Sequence, residues 1–417
     1  MPLGDVKGLR CVTCGAEYEE ASIAYTCPTC GPRRGTLEVV YDYDKIARSW
    51  SRDALQNDPE RAMWRFLPIL PIRDRTYIQP LRVGCTPAYR FPALGERLGG
   101  LADLVIKDDG QNPTASYKDR ASSVVVIKAQ ERGESVVTCA STGNAASSLS
   151  GFAAATPLQA VIFVPRSAPE AKIAQLLIYG ARVFLVRGTY DDAYDLASEA
   201  SEAFGWYNRS AAMNPYLVEG KKTGALELAE QLRWNVPDVV FVAVGDGSVI
   251  SGVCKGFQEL LRLRWIDRIP RVIGVQAEGS SPVAAAFDRT GEGTNDVEIV
   301  DVVADTVADS ICVGKPRDIV KAVRYVRRTR GGFVCVSDEE ILDALAGLAR
   351  DTGVFAEPAG AAAYAGAQKL ASQGELAGKR VAVMVTGNGL KDIASARKVA
   401  GSATEVDASI EALRRVL

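Results

Sequence analysis

One lysine, Lys118, stands in the segment NPTASYKDR, residues 112 to 120, between a proline-led turn and a run of small and apolar residues. Proline fixes its own φ and pushes the preceding residue toward extended geometry, so we predict that a helix begins near Ser116, capped by Thr114 or Ser116. Lys118 then lies in the first turn, where backbone N–H groups and the helix dipole create positive potential. That potential favours loss of a proton, and a neutral amine can form an imine with an aldehyde. Taken alone, the triplet KDR fits a solvated surface lysine better than a catalytic one.

The chain has 417 residues and no histidine. Without imidazole, Ser-His-Asp and Cys-His triads, histidine-ligated catalytic zinc and histidine proton shuttles are excluded. Proton transfer must then be done by lysine, carboxylate, tyrosine, cysteine or the substrate itself. This favours a catalytic lysine.

Three polar or glycine-rich turns follow predicted strands, at the edge where open parallel sheets bind ligands. They are STGN (141 to 144), GDGSVISG (245 to 252) and TGNG (386 to 389). GDGSVISG has glycines that allow close backbone approach, a serine hydroxyl and a following helix, all suited to a phosphate group. It lacks the motifs of dinucleotide folds and P-loops, so a cofactor monophosphate fits better than a nucleotide.

The other two turns offer neutral polar groups. STGN suits a carboxylate or a phenolic oxygen, and Thr386 offers a hydroxyl to a ring nitrogen. Together with Lys118, these groups predict a pyridoxal 5'-phosphate site. A hydroxyl, unlike an aspartate, does not hold the pyridine ring protonated, which favours elimination and replacement over transamination.

Four of the nine cysteines have the spacing C-x2-C-x12-C-x2-C, at Cys11, Cys14, Cys27 and Cys30. Four thiolates at this spacing predict a closed, structural zinc ribbon. Two disulfides, or a ribbon that has lost its metal, are the alternatives. The remaining cysteines are interpreted as small buried hydrophobic residues.

From about residue 100, short apolar runs alternate with amphipathic stretches, which predicts an α/β fold with parallel sheet covered on both faces. The predicted helices are 168 to 179, 191 to 204 and 221 to 234. The predicted strands are 104 to 107, 135 to 140, 160 to 165, 182 to 186, 239 to 244, 271 to 277 and 380 to 385.

A net charge of -2 without a basic stripe argues against nucleic acid as a partner. The N-terminal MPLGDVKGLR has no apolar core of signal-peptide length, and no window reaches the roughly 18 apolar residues of a membrane span. We therefore expect a cytoplasmic protein whose partner is a small molecule.

The motifs resemble those of the threonine synthase family, within the fold type II pyridoxal phosphate enzymes. NPTASYKDR is similar to the family's NPTGSFKDR, STGN matches as it stands, NPYLVEGKKT resembles NPYRLEGQKT, and TGNGLKD resembles TGHGLKD. A four-cysteine ribbon before a strand (LEVVYDY) is also a common start in this family. The resemblance implies two three-layer domains with parallel or mixed sheets, a zinc-ribbon-like module and a homodimer.

The implied division of the chain is a module at 1 to 40, an arm and the start of the large domain at 41 to 120, a small domain at 121 to 235 and the rest of the large domain at 236 to 417. By the same resemblance, Lys118 would hold the cofactor as an imine and move protons at the substrate's α and β carbons. Other cofactor ligands would be Asn144 at the phenolic oxygen, Gly245, Asp246, Gly247 and Ser248 at the phosphate, and Thr386 at the ring nitrogen. Ser141, Thr142 and Lys221 would bind the substrate.

The implied reaction is the conversion of O-phospho-L-homoserine and water into L-threonine and phosphate, a step of amino-acid biosynthesis. Leu217 stands where the family usually has an arginine suited to the substrate phosphate, and leucine cannot make that contact. Lys221, in place of a glutamine, restores one positive charge as a point charge. Another fold type II replacement or elimination enzyme, resembling cysteate synthase or a threonine or serine dehydratase, or serving secondary metabolism, therefore stays open. So does a catalytically silent homologue.

Overall fold

The computed structural model describes residues 3–23, 25–168, 170–291, 294 and 296–417. Within these ranges the strands form a three-stranded sheet, a six-stranded sheet and a four-stranded sheet. The strands, numbered β1 to β13 in chain order, are Val6–Cys11, Glu17–Tyr18, Leu37–Tyr41, Ala88–Arg90, Asp103–Asp108, Val136–Ala140, Gln159–Pro165, Arg182–Val186, Tyr207–Asn208, Val239–Ala243, Arg271–Ala277, Gly332–Val336 and Arg380–Val385.

The helices surround these sheets. Numbered α1 to α16, they are Gly31–Arg34, Tyr43–Ser49, Arg52–Gln56, Pro92–Arg97, Lys118–Glu131, Asn144–Ala154, Glu170–Ile178, Tyr190–Phe204, Tyr216–Gln231, Ser248–Arg262, Pro282–Arg289, Ile319–Arg328, Asp338–Thr352, Pro358–Ser372, Ile393–Val399 and Ile410–Val416. Short 3-10 helices lie at Met63–Ile69, Arg75–Tyr77, Asp109–Gln111, Asp309–Ile311 and Gly389–Lys391. No helix in the described ranges is long and apolar enough to cross a membrane.

The six-stranded sheet has the order β12-β11-β10-β13-β5-β4, and its pairs are parallel except for β4 against β5. Side chains alternate between the two faces of a strand. In β10, Val240 and Val242 enter one hydrophobic cluster, whereas Val239 and Phe241 enter another. Both faces are therefore covered by helices, which explains the unbroken apolar run in the sequence.

The four-stranded sheet has the order β8-β7-β6-β9, and all of its pairs are parallel. Val161 and Phe163 of β7 pack in one cluster with Ala193 and Ala197 of α8, which are one helical turn apart. Ile162 enters the main cluster on the opposite face. This sheet is thus the centre of a second three-layer unit.

The observed sheets confirm the predicted fold class, and each of the seven predicted strands is present within one residue at either end. The helix predicted from residue 221 begins five residues earlier, at Tyr216, because Pro215 can precede a helix but not continue one. The strands that were not predicted are Val6–Cys11, Glu17–Tyr18, Ala88–Arg90, Tyr207–Asn208 and Gly332–Val336. The domain boundaries stay a prediction.

Candidate active site

Lys118 is the first residue of α5 and lies beside the turn that follows β13. The backbone N–H of Tyr117 donates to the carbonyl of Thr386 at 2.9 Å, and Ser116 forms an isolated antiparallel bridge with Gly387. The β13 and β5 strands are parallel neighbours, so their carboxyl ends bring these two segments together. The structure therefore places Thr386 next to the backbone that carries Lys118.

The helix start differs from the sequence prediction in its capping. The helix begins at Lys118 rather than near Ser116, and neither predicted residue caps it. Thr114 instead bonds the Asp119 carboxylate through both its hydroxyl and its N–H, while the buried Ser116 hydroxyl has no hydrogen bond within the described chain. The capping prediction is wrong because Thr114 is bonded to the Asp119 carboxylate instead, and Ser116 makes no such bond, so α5 has no side-chain cap. The position of Lys118 in the first turn is confirmed.

Ala115 is held in the left-handed region, with φ of 62°. The resembled motif has glycine at this position, and alanine costs about 1 kcal/mol more there. Two hydrogen bonds fix the conformation: the Ala115 N–H donates to the Asn112 carbonyl at 2.8 Å, and its carbonyl accepts from the Asn388 N–H at 3.1 Å. The turn before Lys118 is thus built at some expense of backbone energy.

The STGN turn joins the same site through Asn144, the first residue of α6. Its amide nitrogen donates to Glu357 Oε1 at 2.7 Å and lies 3.3 Å from the Ser310 hydroxyl. Glu357 in turn donates its backbone N–H to the Gly387 carbonyl at 3.0 Å. Ser141 accepts from the Gly143 N–H at 3.1 Å, which fixes the turn.

A cleft opens beside these residues, and Thr142, Asn144, Glu357 and Lys391 are among those that line it. Lys391 donates to the Thr114 carbonyl at 2.8 Å, which connects the cleft to the Lys118 segment. Burial raises the pKa of Glu357. A buried acid and several polar donors in one cleft suit a small polar ligand.

The turn after β10 fits a phosphate group. Gly247 has φ of 96°, and a side chain there would meet Ala322 at 2.9 Å and the Asp318 carbonyl at 3.0 Å. The Ser248 hydroxyl, at the start of α10, is buried without a hydrogen-bond partner in the described chain. An unused hydroxyl and the N–H groups of a helix start are the donors that a phosphate requires. The Asp246 carboxylate accepts from the Arg317 N–H at 3.2 Å, so this acid is engaged by the neighbouring loop.

Burial lowers the pKa of Lys118, and the positive charge of Arg209 lowers it further. The acids Glu357 and Asp246 act in the opposite direction but do not reverse the shift. A lower pKa increases the fraction of neutral, nucleophilic amine at a given pH. The environment of Lys118 therefore suits imine formation.

Lys221 lies on α9, is 2% exposed and has a pKa held well below that of an ordinary lysine. Burial is the main cause, followed by the positive charge of Lys118. Its backbone carbonyl accepts from the Tyr117 hydroxyl at 2.6 Å, so α9 is tied to the start of α5. Leu217, one turn earlier, is fully buried in the main hydrophobic cluster.

Arg120, two residues after Lys118, is fully buried and anchors α5. It bonds Asp109 at 2.5 Å through Nε, and Glu227 at 2.8 Å and 2.6 Å through its two terminal nitrogens. Lys107 also pairs with Glu227, at 3.0 Å. In NPTASYKDR the arginine is thus a positioning residue that ties the lysine-bearing helix to β5 and α9.

The four N-terminal cysteines form one cluster, with all sulfur atoms within 4.8 Å of one another. Zinc–sulfur bonds of about 2.3 Å in a tetrahedron place sulfur atoms about 3.8 Å apart. The Cys14 and Cys27 sulfurs are 3.8 Å apart. The arrangement fits a tetrahedral zinc site.

Sequence reasoning missed Glu357, Ser310, Lys391 and Arg209. Glu357 directly precedes Pro358 at a helix start, a pattern that marks a strand-to-helix turn, and Lys391 belongs to the quoted TGNGLKD. Ser310 and Arg209 follow no strand or motif that the sequence makes obvious. Only the three-dimensional structure places them at the site.

A family model described as pyridoxal-phosphate dependent enzyme matches residues 80–387. The threonine synthase of Methanocaldococcus jannaschii is 37% identical over 414 residues, covering 98% of this chain and 98% of that protein. The threonine synthase of Methanosarcina acetivorans is 37% identical over 412 residues, again covering 98% of each. The processed form of threonine deaminase isoform 2 from Solanum lycopersicum has a similar structure, with a TM-score of 0.65 and 23% identity over 79% of this chain and 89% of that one. This last similarity concerns the fold alone.

Proposed function

Because the chain belongs to the pyridoxal-phosphate dependent enzymes, and within them to the threonine synthase family, we propose that it converts O-phospho-L-homoserine and water into L-threonine and phosphate. The observation that carries this proposal is the 37% identity over 98% of both chains. In the reaction the bond between the γ carbon and the phosphate oxygen breaks, and the oxygen of water adds to the β carbon. The enzyme is thus a pyridoxal phosphate-dependent lyase.

We propose that each of the three turns binds a different part of the cofactor. Gly245, Gly247 and Ser248 hold the phosphate, with Asp246 completing that turn, as the unused Ser248 hydroxyl supports. Asn144 meets the phenolic oxygen with the amide hydrogen that otherwise donates to the Ser310 hydroxyl at 3.3 Å, while the other stays with Glu357. Thr386 meets the ring nitrogen with a neutral hydroxyl.

Bound pyridoxal phosphate supplies an electron sink for negative charge on the substrate's carbon atoms. Lys118 holds the cofactor and then moves protons at the α and β carbons of the substrate. Its lowered pKa supports this assignment, because a proton carrier works best when its pKa lies near the working pH. Ser141 and Thr142 bind the substrate carboxylate, and Lys221 contributes positive charge on the α9 side.

A substrate screen tests the proposed reaction. The purified enzyme with pyridoxal phosphate is expected to release equal amounts of phosphate and threonine from O-phospho-L-homoserine, at a kcat of about 1 s⁻¹ or more. Phosphate is measured colorimetrically and threonine by chromatography. O-phosphoserine with sulfite, and free threonine or serine, are the comparison substrates.

Turnover of a comparison substrate, without threonine formation from O-phospho-L-homoserine, would contradict the proposed reaction. It would favour the second candidate, another replacement or elimination enzyme of the same fold. Leu217, buried where an arginine for the substrate phosphate is usual, is the observation behind that candidate.

We further propose that Cys11, Cys14, Cys27 and Cys30 bind one structural zinc ion. With four protein ligands the site is closed, so zinc serves folding rather than catalysis. The cluster lies in a module tied to the main body by Arg33, which bonds Asp301 at 2.6 Å, and by Tyr25, whose hydroxyl accepts from the Asn208 N–H at 2.7 Å. We therefore expect loss of zinc to destabilise the main body as well as the ribbon.

Replacing Cys27 by serine is expected to remove zinc, measured by atomic absorption, and to lower the melting temperature by about 5 °C or more. The matched control is Cys335→Ser, which changes a half-buried cysteine outside the cluster. The control should keep one zinc per chain. Equal zinc content in both variants would show that the cluster is not the binding site.

We also propose that the enzyme acts in the cytoplasm as a homodimer, as the family resemblance implies. Light scattering after size exclusion distinguishes a dimer from a monomer of 44.5 kDa. A monomer that retains full activity would contradict the oligomeric part of this proposal.

A further inference from the structure

Arg209 directly follows β9, the short edge strand of the four-stranded sheet. Its backbone N–H donates to the carbonyl of Thr138 in β6 at 2.8 Å, two residues before β6 ends. Since β6 and β9 are parallel, Arg209 lies at the same sheet edge as the Ser141 turn. That turn is the one we assign to the substrate rather than to the cofactor phosphate.

The Arg209 side chain lies along α5. Its Nε donates to the Ser122 hydroxyl at 3.3 Å, and Ser122 is four residues after Lys118, on the same face of the helix. The guanidinium is thus about one helical turn from the lysine at the centre of the site.

The same guanidinium is buried and incompletely bonded. Arg209 is 2% exposed, and its Nη2 makes no hydrogen bond within the described chain. It forms no ion pair with any described acid. A buried cation without an ion pair is destabilising, and proteins retain such groups where a ligand supplies the missing hydrogen bonds and charge.

The surroundings carry an excess of positive charge. Arg209, Lys118 and Lys221 are close enough to lower the pKa of the two lysines. Asp246 and Asp318 are the acids that act on Lys221, and Asp246 is engaged by the Arg317 N–H. An anion bound at Arg209 and Lys221 would raise the lowered pKa of Lys221 and so favour its charged form.

We propose that Arg209, together with Lys221, binds the distal phosphate of the amino-acid substrate and so replaces the contact that Leu217 cannot make. The inference rests on the proposed function. A guanidinium suits this role because it binds two phosphate oxygens at once, while the lysine adds a point charge. We assign the cofactor phosphate to the turn after β10, and because Gly252 of that segment lies against Lys221, the affinity for pyridoxal phosphate is measured beside that for free phosphate to distinguish the two sites.

Inorganic phosphate is the probe, because its binding to the holoenzyme is measurable without turnover. We expect calorimetric titration to give a Kd that is about 10- to 100-fold higher in Arg209→Met than in the unchanged enzyme. Arg209→Lys, which keeps the charge but loses the fork, should lie between them. Arg182→Met is the matched control, since it removes an exposed arginine at the opposite end of the same sheet, and its Kd should be unchanged.

Kinetics and cofactor loading separate this role from others. With O-phospho-L-homoserine, Arg209→Met should raise KM by a similar factor and change kcat less, while the affinity for pyridoxal phosphate stays within about 2-fold. Without phosphate, the melting temperature of Arg209→Met should not be lower than that of the unchanged enzyme, because the variant removes a buried, unpaired charge.

Three outcomes would overturn the inference: an unchanged phosphate Kd in both Arg209 variants, a loss of cofactor affinity with an unchanged KM, or a lower melting temperature as the only effect. If the unchanged enzyme binds phosphate through Arg209 but does not turn over O-phospho-L-homoserine, the proposed function fails and the anion site stands. If it turns the substrate over and Arg209→Met has the same KM, the function stands and this inference fails.

Discussion

Replacing Lys118 by alanine is expected to abolish the visible absorbance of bound pyridoxal phosphate and to lower turnover by at least about 10³-fold. Both effects are expected because the proposal gives this amine two tasks, holding the cofactor and moving protons at the substrate. The other lysine of α5, Lys128, pairs with Glu131 at 2.8 Å near the far end of the helix and is not placed to replace it. Spectra of the purified protein and phosphate release measure the two effects.

Lys398→Ala is the matched control, because this lysine is exposed and belongs to none of the three turns. The control should keep the absorbance and the activity. If Lys118→Ala keeps its colour, another lysine holds the cofactor, and Lys221 is the first alternative since burial also lowers its pKa. Borohydride reduction followed by peptide mapping then identifies the modified lysine.

Much of this fold could be predicted from the sequence because the central strands are buried on both faces. Val239–Ala243 is apolar at every position, and such a run between amphipathic helices indicates parallel sheet. The turns at 141 to 144, 245 to 248 and 386 to 389 follow such strands, so their shared edge could also be predicted. Local sequence patterns were sufficient to predict a functional turn wherever a long apolar strand precedes it.

The rest depended on contacts between distant segments. Strand β9 has two residues, too few for an alternation of apolar and polar side chains to be recognised in the sequence. Arg209 reaches the site because β9 pairs with β6. Glu357 meets Asn144 across 213 positions of the chain. The capping of α5 was mispredicted for a local reason, since a choice between Thr114 and Ser116 as caps ignored the Asp119 carboxylate five residues after Thr114.

Arg120 shows how an interpretation of the lysine motif changes once its contacts are known. By sequence alone the triplet KDR fits a solvated surface, whereas the structure buries the arginine between Asp109 and Glu227. Burial raises the pKa of Glu227, but the charges of Arg120 and Lys107 outweigh it and bring the pKa to about 2. Glu227 is therefore charged in the core at ordinary pH, and this charged form is stabilised by Arg120.

Replacing Arg120 by methionine is expected to lower the free energy of unfolding by about 3–5 kcal/mol, because two buried carboxylates lose their main partner. Urea unfolding followed by tryptophan fluorescence measures the change. The matched control, Arg289→Met, breaks an exposed pair with Glu298 at 3.4 Å and should cost at most about 1 kcal/mol.

At acidic pH, the difference in the free energy of unfolding between the unchanged enzyme and Arg120→Met should become smaller. A carboxyl group whose pKa falls from 4.5 to about 2 on folding stabilises the protein above pH 4.5, and this contribution is lost as the pH falls toward 2. In the variant, burial favours protonation of Glu227, which relieves the unpaired charge at higher pH. A cost equal to that of Arg289→Met, or one that does not shrink in acid, would show that α5 and its lysine are held by hydrophobic packing rather than by this ion network.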